Sequence, residues 1–294
     1  MRETIFNEGF FKKLNKINMY INFKLSGGTQ GGRKSKAKGV SVEFSDYREY
    51  APGDDFRRID WNAYGRFDKF FVKVFMEERE GLFNFFIDKS KSMDYGKYNK
   101  KETALKIVAA LSYIALNNLD RVNISTMNDG VIENLKTSTG NKGFQKILRD
   151  LENINFDGST DLSSSIKKRH LNLRGISIVV SDFLNNSGLE GLEEGLKYLA
   201  YKKQEIILVQ VLCEEEINPE FNNEITLVDS ETGENIKLSV TPALIKDYKE
   251  TLKKYNDSIE ALVRKYGGKL ITVNSSMNIE EIILNEFSKR KVLY

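Results

Sequence analysis

Leu82-Phe83-Asn84-Phe85-Phe86-Ile87-Asp88-Lys89-Ser90-Lys91-Ser92 decides how this chain is read. Its first six residues are an apolar run of the length and Phe/Ile content expected of a strand buried in a mostly parallel sheet. Directly after it come one carboxylate and two hydroxyls at alternate positions, Asp88, Ser90 and Ser92. In an extended segment, side chains at i, i+2 and i+4 project to one side. The spacing therefore predicts three oxygen donors converging at the carboxyl end of the strand, the edge where open α/β sheets hold their ligands. Carboxylate and hydroxyl donors suit a hard divalent cation, Mg²⁺ first and Mn²⁺ or Ca²⁺ next.

Two further segments extend the pattern. Gly158-Ser159-Thr160-Asp161-Leu162 stands just before a helical run, and Ile176-Ser177-Ile178-Val179-Val180-Ser181-Asp182 is a second buried-strand pattern ending in an acid. In chain order they complete D-x-S-x-S, then T, then D, which resembles the metal-ion-dependent adhesion site of von Willebrand factor A-like domains. The resemblance implies direct ligation by Ser90, Ser92 and Thr160, with Asp88 and Asp182 acting partly through bound waters. Two acids held close repel, and a divalent cation relieves the repulsion. A coordination position left exchangeable then admits a Glu or Asp from another protein. Lys89 and Lys91 place two positive charges beside the site, read first as surface solvation.

From Leu82 onward strand and helix signals alternate. A helix is expected from about Lys101 to Asn118, followed by two short strands, Arg121 to Met127 and Val131 to Leu135, around the Asp129-Gly130 turn. Helices follow at 142–151 and 162–168, then the Ile176 strand, a helix at about 189–201 and a strand opening at Ile206. A long helix at about 242–266, the strand 269–273 and a closing helix complete the order. Such alternation means an α/β fold, a mostly parallel sheet with helices on both faces. Residues 81–294 are expected to form this domain, with a hairpin inserted at about 217–241. Residues 1–80 are expected to supply an amphipathic helix, a basic Gly/Lys loop and, with the hairpin, a small β-rich lobe.

Composition narrows the classes. A net charge of +3 over 294 residues is too small to demand a polyanionic partner, so no nucleic acid is expected. The single cysteine, Cys213, cannot form an internal disulfide and reads as a small core residue at the end of the Ile206 strand. No apolar run approaches the roughly 18 residues of a membrane-spanning helix, and no secretory signal is visible, so a cytoplasmic protein is expected.

The segment from Glu43 to Arg66 carries a second resemblance. Glu43-Phe44, Tyr47-Arg48, Tyr50, Pro52-Gly53-Asp54-Asp55, Arg58, Ile59-Asp60-Trp61 and Arg66, followed by the Asp88 motif, are similar to the domain-of-unknown-function 58 family. Its members are bacterial and archaeal proteins with a von Willebrand A-like core, commonly encoded beside MoxR-type AAA+ ATPases. The resemblance spans roughly Lys38 to Glu286. It implies a non-enzymatic adaptor or co-chaperone that engages a partner through its metal face, the partner being a MoxR-type ATPase or a client offering Asp or Glu. Many relatives carry transmembrane helices before the shared region, and none is visible here.

Other motifs carry less. Gly27 to Ser35 fails the phosphate-loop spacing because Arg33 separates Gly32 from Lys34, so it reads as a mobile basic loop. Phe10, Phe11, Leu14, Ile17 and Ile21 form an apolar stripe that either covers the chain's own core or lies on a membrane surface. Ser164-Ser165-Ile166-Lys167 fits the serine–lysine nucleophile motif without its companion motifs and reads as a helix start. Asp60 and Arg58 are expected to form an ion pair beside a buried Trp61. His170, the only histidine, sits in a solvated connection, leaving no imidazole base for the Asp88 site. The leading expectation is therefore a metal-dependent protein-interaction module, in which Asp88→Ala or Asp182→Ala leaves the fold intact and abolishes binding. The alternative is a Mg²⁺-dependent phosphoester hydrolase using the same site.

Overall fold

The computed structural model describes Leu14 and residues 43–76, 81–129, 131–135, 138–172, 174–184, 188–219, 224–228 and 235–293. The chain divides into two units, residues 25–80 and residues 1–24 together with 81–294. The basic Gly/Lys loop and most of the expected N-terminal helix lie outside the described residues. Leu14, in helical conformation, is fully buried in the larger unit's core.

In the smaller unit, strands β1 (Glu43–Glu49) and β2 (Phe71–Met76) pair antiparallel, with an irregularity between Phe44 and Asp46. Between them lies the helix α1 (Trp61–Phe67). Asp60 caps α1 by accepting from the amides of Asn62 and Ala63, and its other oxygen accepts from the Tyr47 hydroxyl at 2.8 Å. Arg48 grips Asp54 with two parallel bonds of 2.7 and 2.6 Å, and Asp54 also receives the Ala51 amide. This clamp closes the turn around Pro52 and Gly53. Asp60 pairs with Lys73 at 3.1 Å, and the Arg58 side chain expected to pair with it lies outside the described residues. Trp61 is 62% exposed rather than buried, its ring edge-on to Tyr64 and Phe70. A two-stranded ribbon and one short helix offer too little apolar surface to enclose an indole.

The larger unit is built on β3 (Leu82–Asp88). The helix α2 (Lys100–Asn117) leads to β4 (Arg121–Asn128), β5 (Val131–Asn134) and the short β6 (Ser138–Thr139). Helices α3 (Gly140–Glu152) and α4 (Leu162–Lys168) come next, then β7 (Gly175–Ser181), α5 (Gly188–Tyr201) and β8 (Gln204–Leu212). After the one-turn helix α6 (Glu214–Ile217), β9 (Glu224–Val228) and β10 (Asn235–Ser239) form the inserted hairpin, which belongs to this unit. The long α7 (Pro242–Lys265) and β11 (Lys269–Asn274) precede a closing helical stretch through Lys289.

The sheet order is β11-β8-β7-β3-β4-β5, with β6 also on β4. Every pairing from β11 to β4 is parallel, and only β5 and β6 run antiparallel at the edge. Alternate residues of β3 serve opposite faces. Phe83, Phe85 and Ile87 join Ile107 and Leu111 of α2, while Phe86 joins Leu196 and Leu199 of α5 and Ile259 of α7. Complete burial of each of these rings contributes about 2–3 kcal/mol. One layer is polar. The Asn123 amide donates to Asn84 at 3.0 Å, the Asn84 amide donates to Gln204 at 3.3 Å, and Ser177 donates to the same Gln204 oxygen at 3.0 Å. Asn84 stands level with Asn123 on one neighbour and Ser177 on the other.

Candidate functional site

β3 ends at Asp88, and the two neighbouring parallel strands, β4 and β7, end beside it. Backbone hydrogen bonds lace together the loops that leave these strands. The Lys89 amide donates to the Met127 carbonyl, Lys91 to Gly158, Asp157 to Lys89 and Asp129 to Ser159. Gly158 makes this lacing possible. Its φ of +74° is left-handed, and a Cβ there would lie 2.9 Å from the Asn128 side-chain oxygen.

The convergence of Asp88, Ser90 and Ser92 does not come from strand alternation, as the spacing alone implies. The strand stops at Asp88, and residues Lys91–Met93 form a 3₁₀ turn anchored by the buried Met93. That turn brings the Ser90 and Ser92 hydroxyls to 3.0 Å from each other. Asp88 is 1% exposed. Its Oδ1 accepts from the Ser90 amide at 2.9 Å and the Thr160 hydroxyl at 2.6 Å, and its Oδ2 from the Ser181 hydroxyl at 2.5 Å. Burial, and then the nearby Asp182 charge, push the Asp88 carboxyl above its ordinary value, against the pull of these donors.

Asp182 follows the last residue of β7 and is buried. Its Oδ1 accepts from the Leu184 amide at 3.0 Å and its Oδ2 from the Lys100 ammonium at 2.8 Å. Lys100 is itself fully buried and donates a second bond, 2.6 Å, to Glu216. Burial pulls the Lys100 pKa down, but Asp182 and Glu216 outweigh it and leave it raised. The structure therefore brings all five sequence-marked residues together, Asp88, Ser90, Ser92, Thr160 and Asp182. It adds three that sequence reading missed. Ser181 was detectable by its place beside Asp182 at a strand end, whereas Lys100 and Glu216 give no local signal.

The donor set fits a hard cation, with three hydroxyls and the Asp88 carboxylate at one rim and no soft ligand required. Among the described residues no three His, Cys, Asp or Glu side chains are arranged to hold a metal ion, so any cation here depends chiefly on the hydroxyls. Asp182 and Glu216 share the Lys100 ammonium, whereas Asp88, repelled by Asp182, is held by hydroxyl and amide donors. Lys89 lies against Glu133 at 3.1 Å, and Lys91 is exposed at the rim.

The other motifs resolve structurally. The Ser164 hydroxyl donates to Asp161, the N-cap of α4, and Lys167 pairs with Glu194, so the two are not joined as nucleophile and base. His170 is exposed beyond the far end of α4. Cys213 follows β8 as the N-cap of α6, and burial together with the Glu216 charge pushes its thiol up to about 12.

A family profile described as "Protein of unknown function DUF58" matches residues 46–257, more than half of the chain. The chain belongs to the DUF58 family. Full-length similarity extends to Uncharacterized protein Rv1480 of Mycobacterium tuberculosis (strain ATCC 25618 / H37Rv), 23% identical over 95% of this chain and 89% of that protein. A counterpart from Mycobacterium bovis (strain ATCC BAA-935 / AF2122/97) matches with the same identity and coverage. Among solved structures, the conserved hypothetical protein BatB from Bacteroides thetaiotaomicron is 16% identical, covering 71% of this chain and 98% of its own, with a TM-score of 0.44. The SpRpn10 VWA domain is 11% identical, covering 70% of this chain and 94% of its own, with a TM-score of 0.41. The strand order and the two buried clusters make the core an α/β domain, a mostly parallel sheet between two helical layers.

Proposed function

We propose that this DUF58 protein is a non-enzymatic interaction module whose Asp88 site holds one divalent cation, Mg²⁺ foremost, and offers it to a carboxylate of a partner protein. Asp88, Ser90, Ser92 and Thr160 would hold the ion, with Asp182 beside them. The ion would supply a positive charge at an otherwise acidic rim, where a partner Asp or Glu completes the coordination. The carrying observation is Asp88 itself, a buried carboxylate repelled by Asp182 and held by hydroxyls from two other segments, Thr160 before α4 and Ser181 at the end of β7. The partner class follows from the family resemblance: a MoxR-type AAA+ ATPase, with this chain as adaptor or co-chaperone. No helix among the described residues is long and apolar enough to cross a membrane.

The test is calorimetric titration with Mg²⁺, Mn²⁺ and Ca²⁺, followed by pull-down of the cognate ATPase with and without chelator. One ion per chain and a chelator-sensitive complex are expected. Association that survives chelation unchanged removes the cation from the reading. Asp88→Asn is the suitable variant. Asp182→Ala is not the clean probe that the sequence implies, because it leaves the buried Lys100 ammonium facing Glu216 alone.

A further inference from the structure

Lys100 opens α2, and its side chain runs inward to a position where it is 0% exposed, the only buried cation among the described residues. It joins three pieces of chain. Asp182 belongs to the loop after β7, and its other oxygen holds the Leu184 amide. Glu216 belongs to the turn after β8, and its other oxygen holds the Cys213 amide at 2.9 Å. Both carboxylates thus spend one oxygen on their own loop and the other on Lys100. Helix α7 grips the same two loops from outside, through Tyr255 to the Phe183 carbonyl at 2.7 Å and Tyr248 to the Glu216 carbonyl at 2.9 Å. The same knot receives the loop that follows Ser92, since Gly96 (φ +93°) packs so tightly on Cys213 that a Cβ would approach it to 2.6 Å.

We infer that Lys100 is a positioning residue that serves as the resident cation of the Asp88 site, holding the 181–184 and 213–217 loops in place with or without a divalent ion. The inference rests on the proposed cation reading for the role of the site, but the contacts that support it involve no metal. Two consequences follow from charge and geometry. The ammonium offsets the Asp182 charge that would otherwise stand unpaired beside Asp88. It also keeps Asp182 beside Asp88 before any ion arrives, so that loading the site requires no folding of these loops.

The experiment compares wild type, Lys100→Met and Glu216→Gln by hydrogen exchange and thermal melting, each in chelator and in excess Mg²⁺. In chelator, wild type is expected to protect the Leu184 and Cys213 amides and to melt within a few degrees of its Mg²⁺ value. Lys100→Met is expected to melt at least about 10 °C lower in chelator, to exchange both amides at least about tenfold faster, and to gain more from Mg²⁺ than wild type does. Glu216→Gln, which keeps the Lys100–Asp182 pair, serves if Lys100→Met does not fold. It is expected to accelerate exchange in 213–217 while sparing Leu184. Unchanged protection of both amides in Lys100→Met, or in Glu216→Gln when that variant stands in, overturns the inference. So does a wild type that lacks this protection without metal. Wild type that takes up no cation by calorimetry, yet shows the expected exchange differences in chelator, refutes the proposed function and leaves the positioning role of Lys100 standing.

Discussion

The Ser181 hydroxyl donates to Oδ2 of Asp88 at 2.5 Å, from the last residue of one strand to the last residue of its neighbour. Ser181 in turn accepts from the Phe183 amide at 2.9 Å, so one oxygen fixes both the carboxylate and the loop beyond it. Ser181→Ala is expected to lower stability by about 1–2 kcal/mol, since Oδ2 of a buried carboxylate loses its donor. Urea unfolding in chelator measures this, and an unshifted midpoint would refute it.

Asp88→Asn tests the charge rather than the shape. The folded Asp88 carboxyl titrates above its unfolded value of roughly 3.9, so ionising it works against the metal-free fold. Stability from this group is greatest below that unfolded value and declines as pH rises through the raised folded one. The Asn variant should lack this decline and resist urea better than wild type at neutral pH in chelator. It should also lose cation uptake in calorimetry. Higher wild-type stability at neutral pH in chelator would contradict the prediction.

Asp60 behaves in the opposite sense. The Tyr47 hydroxyl, then Lys73, hold its carboxyl down to about 2. Its contribution is full above the unfolded value near roughly 4 and is lost as pH falls towards about 2. Tyr47→Phe should raise the Asp60 titration midpoint, read from carboxyl carbon shifts by NMR. A midpoint unchanged from wild type would show that the hydroxyl does not hold the charge.

Cys213 is expected to be inert in the folded protein. With its thiol at about 12, the thiolate fraction at pH 8 is on the order of one in ten thousand. A thiol reagent should label no cysteine in native buffer over an hour and one per chain in denaturant. Rapid native labelling would mean that the 213–217 turn opens readily.

Gly158→Ala probes the lacing of the loops. The left-handed backbone and the clash with Asn128 should cost about 1–3 kcal/mol and weaken cation uptake through the displaced Thr160. Wild-type stability and uptake would show that the Asn128 side chain yields freely.

Much of this was legible in the sequence because it is local. The run 82–88, the helix near 100–117 and the alternation after it announce themselves by period, and the D-x-S-x-S, Thr160 and Asp182 signals stand at element ends. What escaped is non-local. Lys100 reads as an ordinary polar residue at a helix start, since its burial depends on Asp182 and Glu216, 82 and 116 residues away. Trp61 reads as core because tryptophan usually is, yet its surroundings are too small to enclose it. The turn at Lys91–Met93 is likewise set by Met93 entering the core, which no spacing rule reports.

The polar layer of Asn84, Asn123, Ser177 and Gln204 has a consequence at the opposite end of the sheet. Sliding the central strand one residue past its neighbours would set a phenylalanine level with Asn123 and Ser177 and set Asn84 level with aliphatic side chains. Misaligned assemblies are therefore disfavoured before any loop is made. Because the layer admits a single alignment, the three strand tips finish flush, and the hydroxyls that follow them arrive at a common height.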